Sequence, residues 1–203
     1  MSSLPFYDAV TRDFDEVNAL IMRQLHSRVP LVEKIGHYII SAGGKRLRPL
    51  VVLLSARACG LEDARQHSLA AIIEFLHTAT LLHDDVVDIS DQRRGRSTAN
   101  SLWGNAPSVL VGDFLYSRAF EMMVELGDMQ IMRVLANATN VIAEGEVLQL
   151  SKVRDASTDE ATYMEVIRSK TAMLFEASTH SAGLLAGAEA AQTEALRGYG
   201  NAL

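Results

Sequence analysis

The stretch Asp63–Asp91, DARQHSLAAIIEFLHTATLLHDDVVDISD, reads as one long helix. Ile72, Ile73, Leu76, Ala79, Thr80, Leu81 and Val87 recur at spacings of three and four, which lines them along stripes of a 3.6-residue turn. At roughly 100° per residue, Asp88 lies about 40° around the helix from Asp84, so the two carboxylates share a face one turn apart, with Asp85 flanking them. Like charges at that spacing repel, and near a helix C-terminus the backbone dipole disfavours each by about 0.3–1 kcal/mol. Folding alone gives no motive for three acids there. A solvated helix end also tolerates an acidic pair at this spacing. Two features weigh against it. The residues before Asp84, from Leu69 to Leu82, are apolar apart from Glu74, His77, Thr78 and Thr80. His77 and Thr80 lie about 20° and 40° around from Asp84, so the face leading to the acids is mildly polar. The acids are expected to emerge from a buried helix into a cavity.

The rest of the chain has the same period. Val109, Leu110, Phe114, Leu115, Phe120 and Met123 repeat it, aromatic residues are only 6%, and strand-like alternation is absent. Breaks at Pro30, Gly43–Gly44, Gly60, Gly95, Gly104, Gly127 and the stretch 156–158 divide the chain into about seven helical segments. These are Leu4–Arg28, Leu31–Ala42, Arg48–Cys59, Asp63–Asp91, Ala106–Leu126, Met129–Lys152 and Thr158–Leu185, with an eighth starting near Thr193. The expectation is an all-α bundle, residues 1–203 forming a single domain.

Clustered aspartates without His or Cys partners at metal-site spacing suit a hard, oxygen-loving cation. Magnesium leads, because it takes one or two carboxylates from a protein and completes its octahedron with water and phosphate oxygens. A phosphate ester or diphosphate ligand is thereby implied. Gly43-Gly44-Lys45-Arg46-Leu47-Arg48-Pro49 places three cations between a double-glycine break and a proline helix start, where backbone N–H groups and side chains can hold phosphate together. It is not a Walker loop, since position 39 is Ile and no Ser or Thr follows Lys45. Cations compensating a helix C-terminus are the alternative reading of this motif and of Arg93-Arg94. Lys170-Thr171, taken alone, is a weaker signal.

Composition removes other classes. The 203 residues carry 19 Lys and Arg against 25 Asp and Glu, a net charge of −6 with no basic tail, which gives nucleic acid nothing to bind. Cys59 is the only cysteine, which excludes a disulfide framework or a cysteine metal site and fits a reducing cytoplasm. No apolar run approaches the roughly 18 residues of a transmembrane segment, and Asp8, Asp13 and Asp15 stand where a signal peptide would be basic and then apolar.

Together these motifs resemble the trans (all-E) polyprenyl diphosphate synthases. Gly43 to Pro49 matches that family's GGKRxRP, and Asp84-Asp85-Val86-Val87-Asp88 followed by Arg93-Arg94-Gly95 matches its first aspartate-rich motif. Gly112-Asp113-Phe114-Leu115, Glu144-Gly145-Glu146 through Gln149, and Lys170-Thr171 resemble later blocks in the right order. The resemblance implies an isoprenoid-synthase-type helical bundle around a central cavity, a homodimer, and head-to-tail coupling of an allylic prenyl diphosphate to isopentenyl diphosphate. It implies magnesium on Asp84 and Asp88 with Asp85 in support, ionising the allylic C–O bond. Lys45, Arg48, His77 and Arg94 would hold isopentenyl diphosphate, and Arg93, Lys170 and Thr171 the allylic diphosphate. The released pyrophosphate would take the proton.

The family also carries a second aspartate-rich motif, shortly beyond the block resembling Leu196-Arg197-Gly198-Tyr199-Gly200. No aspartate follows Lys170 here, and the expectation is a chain cut before that motif. Two other functions remain open: a noncatalytic subunit that completes a full-length partner, and a terpene cyclase, which needs no isopentenyl site. Short-chain members place aromatic rings at the positions of Ala79 and Thr80. With Leu76, Ala79 and Thr80 there instead, a long product for a quinone side chain is expected.

Overall fold

The computed structural model describes residues 5–203; Leu4, the expected start of the first segment, lies outside them. The chain is helical almost throughout: α1 (Pro5–Asp8), α2 (Thr11–Gln24), α3 (Pro30–Ser41), α4 (Leu47–Ala58), α5 (Ala64–Val87), α6 (Ala99–Trp103), α7 (Asn105–Leu126), α8 (Met129–Ser151), α9 (Glu160–Ile167), α10 (Met173–Leu185) and α11 (Ala190–Ala202). Local chemistry sets the starts. Pro30 opens α3, where a missing N–H costs nothing. The side chains of Asp63, Asp128 and Asp159 accept the otherwise unpaired N–H groups of α5, α8 and α9. Gly127, at φ 74°, closes α7 in the left-handed conformation.

α5 is the axis of the bundle, packed against α7, α4, α2 and α10. Leu69, Ile72, Ile73, Phe75, Leu76 and Leu82 are all fully or almost fully buried. Each such side chain contributes about 1.5–3 kcal/mol on leaving water. The stripes seen in the sequence therefore point at several neighbours, as a central helix requires.

The segmentation differs from the sequence reading in five places. The first segment divides between α1 and α2 and ends at Gln24. Ala99–Trp103 forms a helix of its own. The last helix begins at Ala190, where Glu189 and Gln192 form a reciprocal cap. Between α9 and α10 the residues Arg168–Ala172 make one wide π-turn. The long helix stops at Val87, not Asp91: Asp88 caps it, Ile89 donates to the Val86 carbonyl and Ser90 to that of Asp85. This cap normally holds glycine, yet Ile89 occupies its left-handed position at φ 52° and is 82% exposed. A short antiparallel ribbon follows, Gln92–Arg93 pairing with Arg96–Ser97 around Arg94 and Gly95, both at positive φ. It is the only strand pairing among the described residues.

Candidate active site

The end of α5 and this ribbon bring the acids and bases together. Asp84 and Asp88 both line a pocket of about 280 Å³ that also takes Arg48, His77, Arg93, Glu146, Lys170 and Thr171. Asp85 is placed elsewhere. It is 0% exposed, and its Oδ1 accepts from Arg93 Nε at 2.9 Å and Nη2 at 2.8 Å. The third acid thus anchors the ribbon to α5, while the other two face the cavity. Asn100 ties the same corner, donating to the carbonyls of Asp85 and Ser90.

Lys170 extends from the π-turn to within 2.9 Å of Glu146 and 3.7 Å of Asp84. Burial, then the charges of Glu146 and Asp88, push the Asp84 carboxyl up to about 6 against the pull of Lys170 and Arg93. Burial works against the Lys170 ammonium, but its hydrogen bond to Glu146 and the charges of Asp84, Glu146 and Asp88 prevail and raise its proton affinity. Glu146 lies one turn beyond Ile142 on α8. Sequence reasoning registered it only within a motif block, because an acid in the middle of a helix looks like a solvated one.

The basic residues line a second pocket of about 460 Å³, formed by Gly44, Lys45, Arg46, Leu47, Arg48, Glu74, His77, Arg94 and Phe175. Arg46 pairs with buried Glu74 at 3.2 Å. Arg48 stacks its guanidinium 4.5 Å above the Phe175 ring, and its Nε is buried without a hydrogen-bond partner. Its Nη1 approaches His77 Nε2 at 3.2 Å. A guanidinium only donates, so that imidazole nitrogen accepts and the ring is neutral with its proton on Nδ1. Burial and the surrounding Arg48, Arg94, Arg93 and Arg46 agree, holding His77 down at about 3. Arg94 lies across Gly44, where a Cβ would fall 2.3 Å from its Nη1. The Arg94 guanidinium could swing away from such a Cβ, but the φ of 146° at Gly44 favours glycine in the loop.

A third cavity of about 560 Å³ runs from the acids between α5, α7 and α8, past Thr80, His83, Val87, Tyr116, Thr139, Ile142 and Ala143. Thr80 belongs to this wall. Leu76 and Ala79, at 1% and 0% exposed, lie in the core and line none of these three pockets. The three compartments adjoin. Arg48 and His77 border the basic and acidic pockets, while Thr80, Asp84, Ile142 and Glu146 border the acidic pocket and the apolar cleft.

Among the described residues, no three His, Cys, Asp or Glu side chains converge on a metal site by themselves. Magnesium asks for less. Two carboxylates one turn apart in one pocket, with Asp84 raised by burial and then by neighbouring negative charge, are a donor set a dication would neutralise once substrate oxygens complete it.

A helical bundle with this succession of pockets has the fold of the isoprenoid synthases. The chain belongs to the polyprenyl synthetase family, whose model matches residues 29–203. It is 54% identical over 196 residues to octaprenyl diphosphate synthase of Escherichia coli, covering 97% of this chain and 61% of that one. To the enzyme of the same name from Haemophilus influenzae it is 53% identical over 191 residues, 94% of this chain and 58% of the other. A decaprenyl diphosphate synthase structure from Rhodobacter capsulatus superposes with TM-score 0.95 at 50% identity, covering 97% of this chain and 61% of that one. A Caulobacter crescentus polyprenyl synthase, solved with calcium and isoprenyl diphosphate, gives 0.94 at 48%, with 97% and 60% covered. The chain thus spans about three fifths of the length of these relatives. No helix among the described residues is long and apolar enough to cross a membrane.

Proposed function

We propose that this chain carries the diphosphate-binding half of a long-chain prenyltransferase, which joins an allylic diphosphate to isopentenyl diphosphate. The observation that carries this reading is the order of the compartments: basic pocket, acidic pocket and apolar cleft, each sharing wall residues with the next. Isopentenyl diphosphate fits the basic pocket. Lys45, Arg48 and Arg94 supply charge there, and neutral His77 supplies a hydrogen bond without changing that charge. The allylic diphosphate fits the acidic pocket, its tail along the cleft past Thr80 and its diphosphate toward Arg93, Lys170 and Thr171. Asp84 and Asp88 would hold magnesium there. When bound, magnesium stabilises negative charge on the departing diphosphate. Lys170, held by Glu146, adds a fixed positive charge at the same place. The allylic C–O bond ionises, the π bond of isopentenyl diphosphate attacks the resulting allylic cation, and the released pyrophosphate takes the proton. The reading includes a homodimer in the cytoplasm and a quinone side chain as destination. The similarity to octaprenyl and decaprenyl synthases supports the product class.

The test incubates a synthase of the relatives' full length that carries this chain with labelled isopentenyl diphosphate, an allylic diphosphate and magnesium, and resolves products by chain length. Elongation that requires isopentenyl diphosphate and falls at least a hundredfold in Asp84→Ala or Asp88→Ala is expected. Consumption of the allylic diphosphate without isopentenyl diphosphate would make the protein a cyclase. Unchanged turnover in both variants would remove the proposal.

A further inference from the structure

Lys170 and Thr171 occupy the π-turn Arg168–Ala172, a segment without glycine or proline. A single extra residue in a helix rotates everything beyond it by about 100°. The turn thereby lets α10 bury Leu174, Ala177, Ser178, Ser181 and Ala182 while Lys170 still reaches Glu146. What receives the turn is Gly145, buried on α8. A Cβ at that position would lie 2.5 Å from Ser169 Cβ, 3.4 Å from the Lys170 backbone nitrogen and 3.5 Å from the Ser169 carbonyl carbon. Two carbons at rest need about 3.5–4.0 Å, so the first contact would force the two backbones about 1 Å apart. Gly145 is helical, with no positive φ to excuse it. Close approach is its physical reason. The next residue on the same helix, Glu146, is the carboxylate that grips Lys170.

We propose that Gly145 is a positioning residue: its bare backbone seats the π-turn against α8 and so fixes Lys170 between Glu146 and Asp84. Glycine sets the spacing of the two helices, and the adjacent glutamate uses it. The consequence for diphosphate binding rests on the function proposed above; the packing claim does not.

The ligand-free test is the coupling between Lys170 and Glu146, read as the non-additivity of Lys170→Met and Glu146→Gln in urea melts. It is measured with glycine at 145, with Gly145→Ala, and with Gly145→Ala plus Ser169→Gly, which removes the opposing Cβ. Coupling is expected with glycine, lost with alanine and restored in the pair; the pair also carries the test if Gly145→Ala alone melts early. Coupling that survives Gly145→Ala, or that Ser169→Gly does not restore, overturns the proposal. A second measurement titrates inorganic pyrophosphate with magnesium. Gly145→Ala and Lys170→Met should each weaken binding about tenfold, and together no more than Lys170→Met alone, because the glycine acts through the lysine. Additive losses would overturn the proposal. If Lys170→Met binds as tightly as the parent, the diphosphate role of the lysine falls, while the melts still decide the glycine.

Discussion

Replacing Asp84 by asparagine should make the metal-free protein more stable. The carboxyl is raised from 3.8 to about 6, first by burial and then by Glu146 and Asp88. A shift of that size is worth roughly 3 kcal/mol against the charged form at neutral pH, and solvent reaching the pocket reduces it to about 1–2 kcal/mol. Because the folded state holds the proton more tightly than the unfolded chain, the parent is penalised least below about 4. The penalty grows as pH rises from about 4 to about 6 and is constant above. The amide of the variant imitates the neutral acid at every pH. The assay is thermal and urea unfolding of parent and Asp84→Asn in chelator at pH 4 and pH 7.5. At pH 7.5 the variant should melt about 3–6 °C higher, the scale expected for 1–2 kcal/mol in a chain of this size. At pH 4 the difference should vanish. Adding magnesium together with inorganic pyrophosphate should stabilise the parent and leave the variant much less affected. A variant less stable than the parent at pH 7.5, or an advantage that does not change with pH, would refute the account of Asp84 as a residue held against its own stability.

Asp85→Ala should behave in the opposite way, losing about 3 kcal/mol in urea melts at pH 7, because it strands the partly buried Arg93 guanidinium and leaves a hole beneath the ribbon. Ile89→Gly should raise stability by about 0.5–1 kcal/mol: relief of a branched side chain at positive φ exceeds the entropy glycine adds to the unfolded chain, and the exposed side chain gives up no packing. Thr80→Phe should shorten the products resolved by chromatography, since Thr80 lines the apolar cleft, whereas Ala79→Phe should destabilise the fold by about 1–3 kcal/mol through overpacking.

The helical class, the central position of α5 and the shared face of Asp84 and Asp88 were legible because each depends on a period or a spacing within one segment. The cap of α5 at Asp63 was legible for the same reason. What the sequence withheld depends on a second element. Asp85 stands one residue from Asp84 in a run of acids, and only the ribbon folding back with Arg93 makes it a buried anchor. Glu146 resembles its exposed neighbour Glu144 until Lys170 arrives from another helix. The π-turn leaves no breaker in its own residues, since the feature that accommodates it is a glycine across the groove. Leu76 and Ala79 precede the acids by one to two turns but lie about 80° and 140° around the helix from Asp84, and both are buried in the core while the cleft opens at Thr80.

The imidazole of His77 sits among four arginines and stays uncharged above about pH 3. A histidine is the usual point at which a binding site becomes sensitive to the acidity of its surroundings. Here the one side chain of that kind in the basic pocket has been silenced by its neighbours. Across the whole range in which cells live, the pocket offers its ligand the same number of hydrogen bonds from His77 and the same guanidinium charge. The response of capture to acidity in that compartment is then left to the ligand's own phosphate protons and to Glu74, whose carboxyl is pushed up by burial against the pull of Arg46, Arg48 and Arg94.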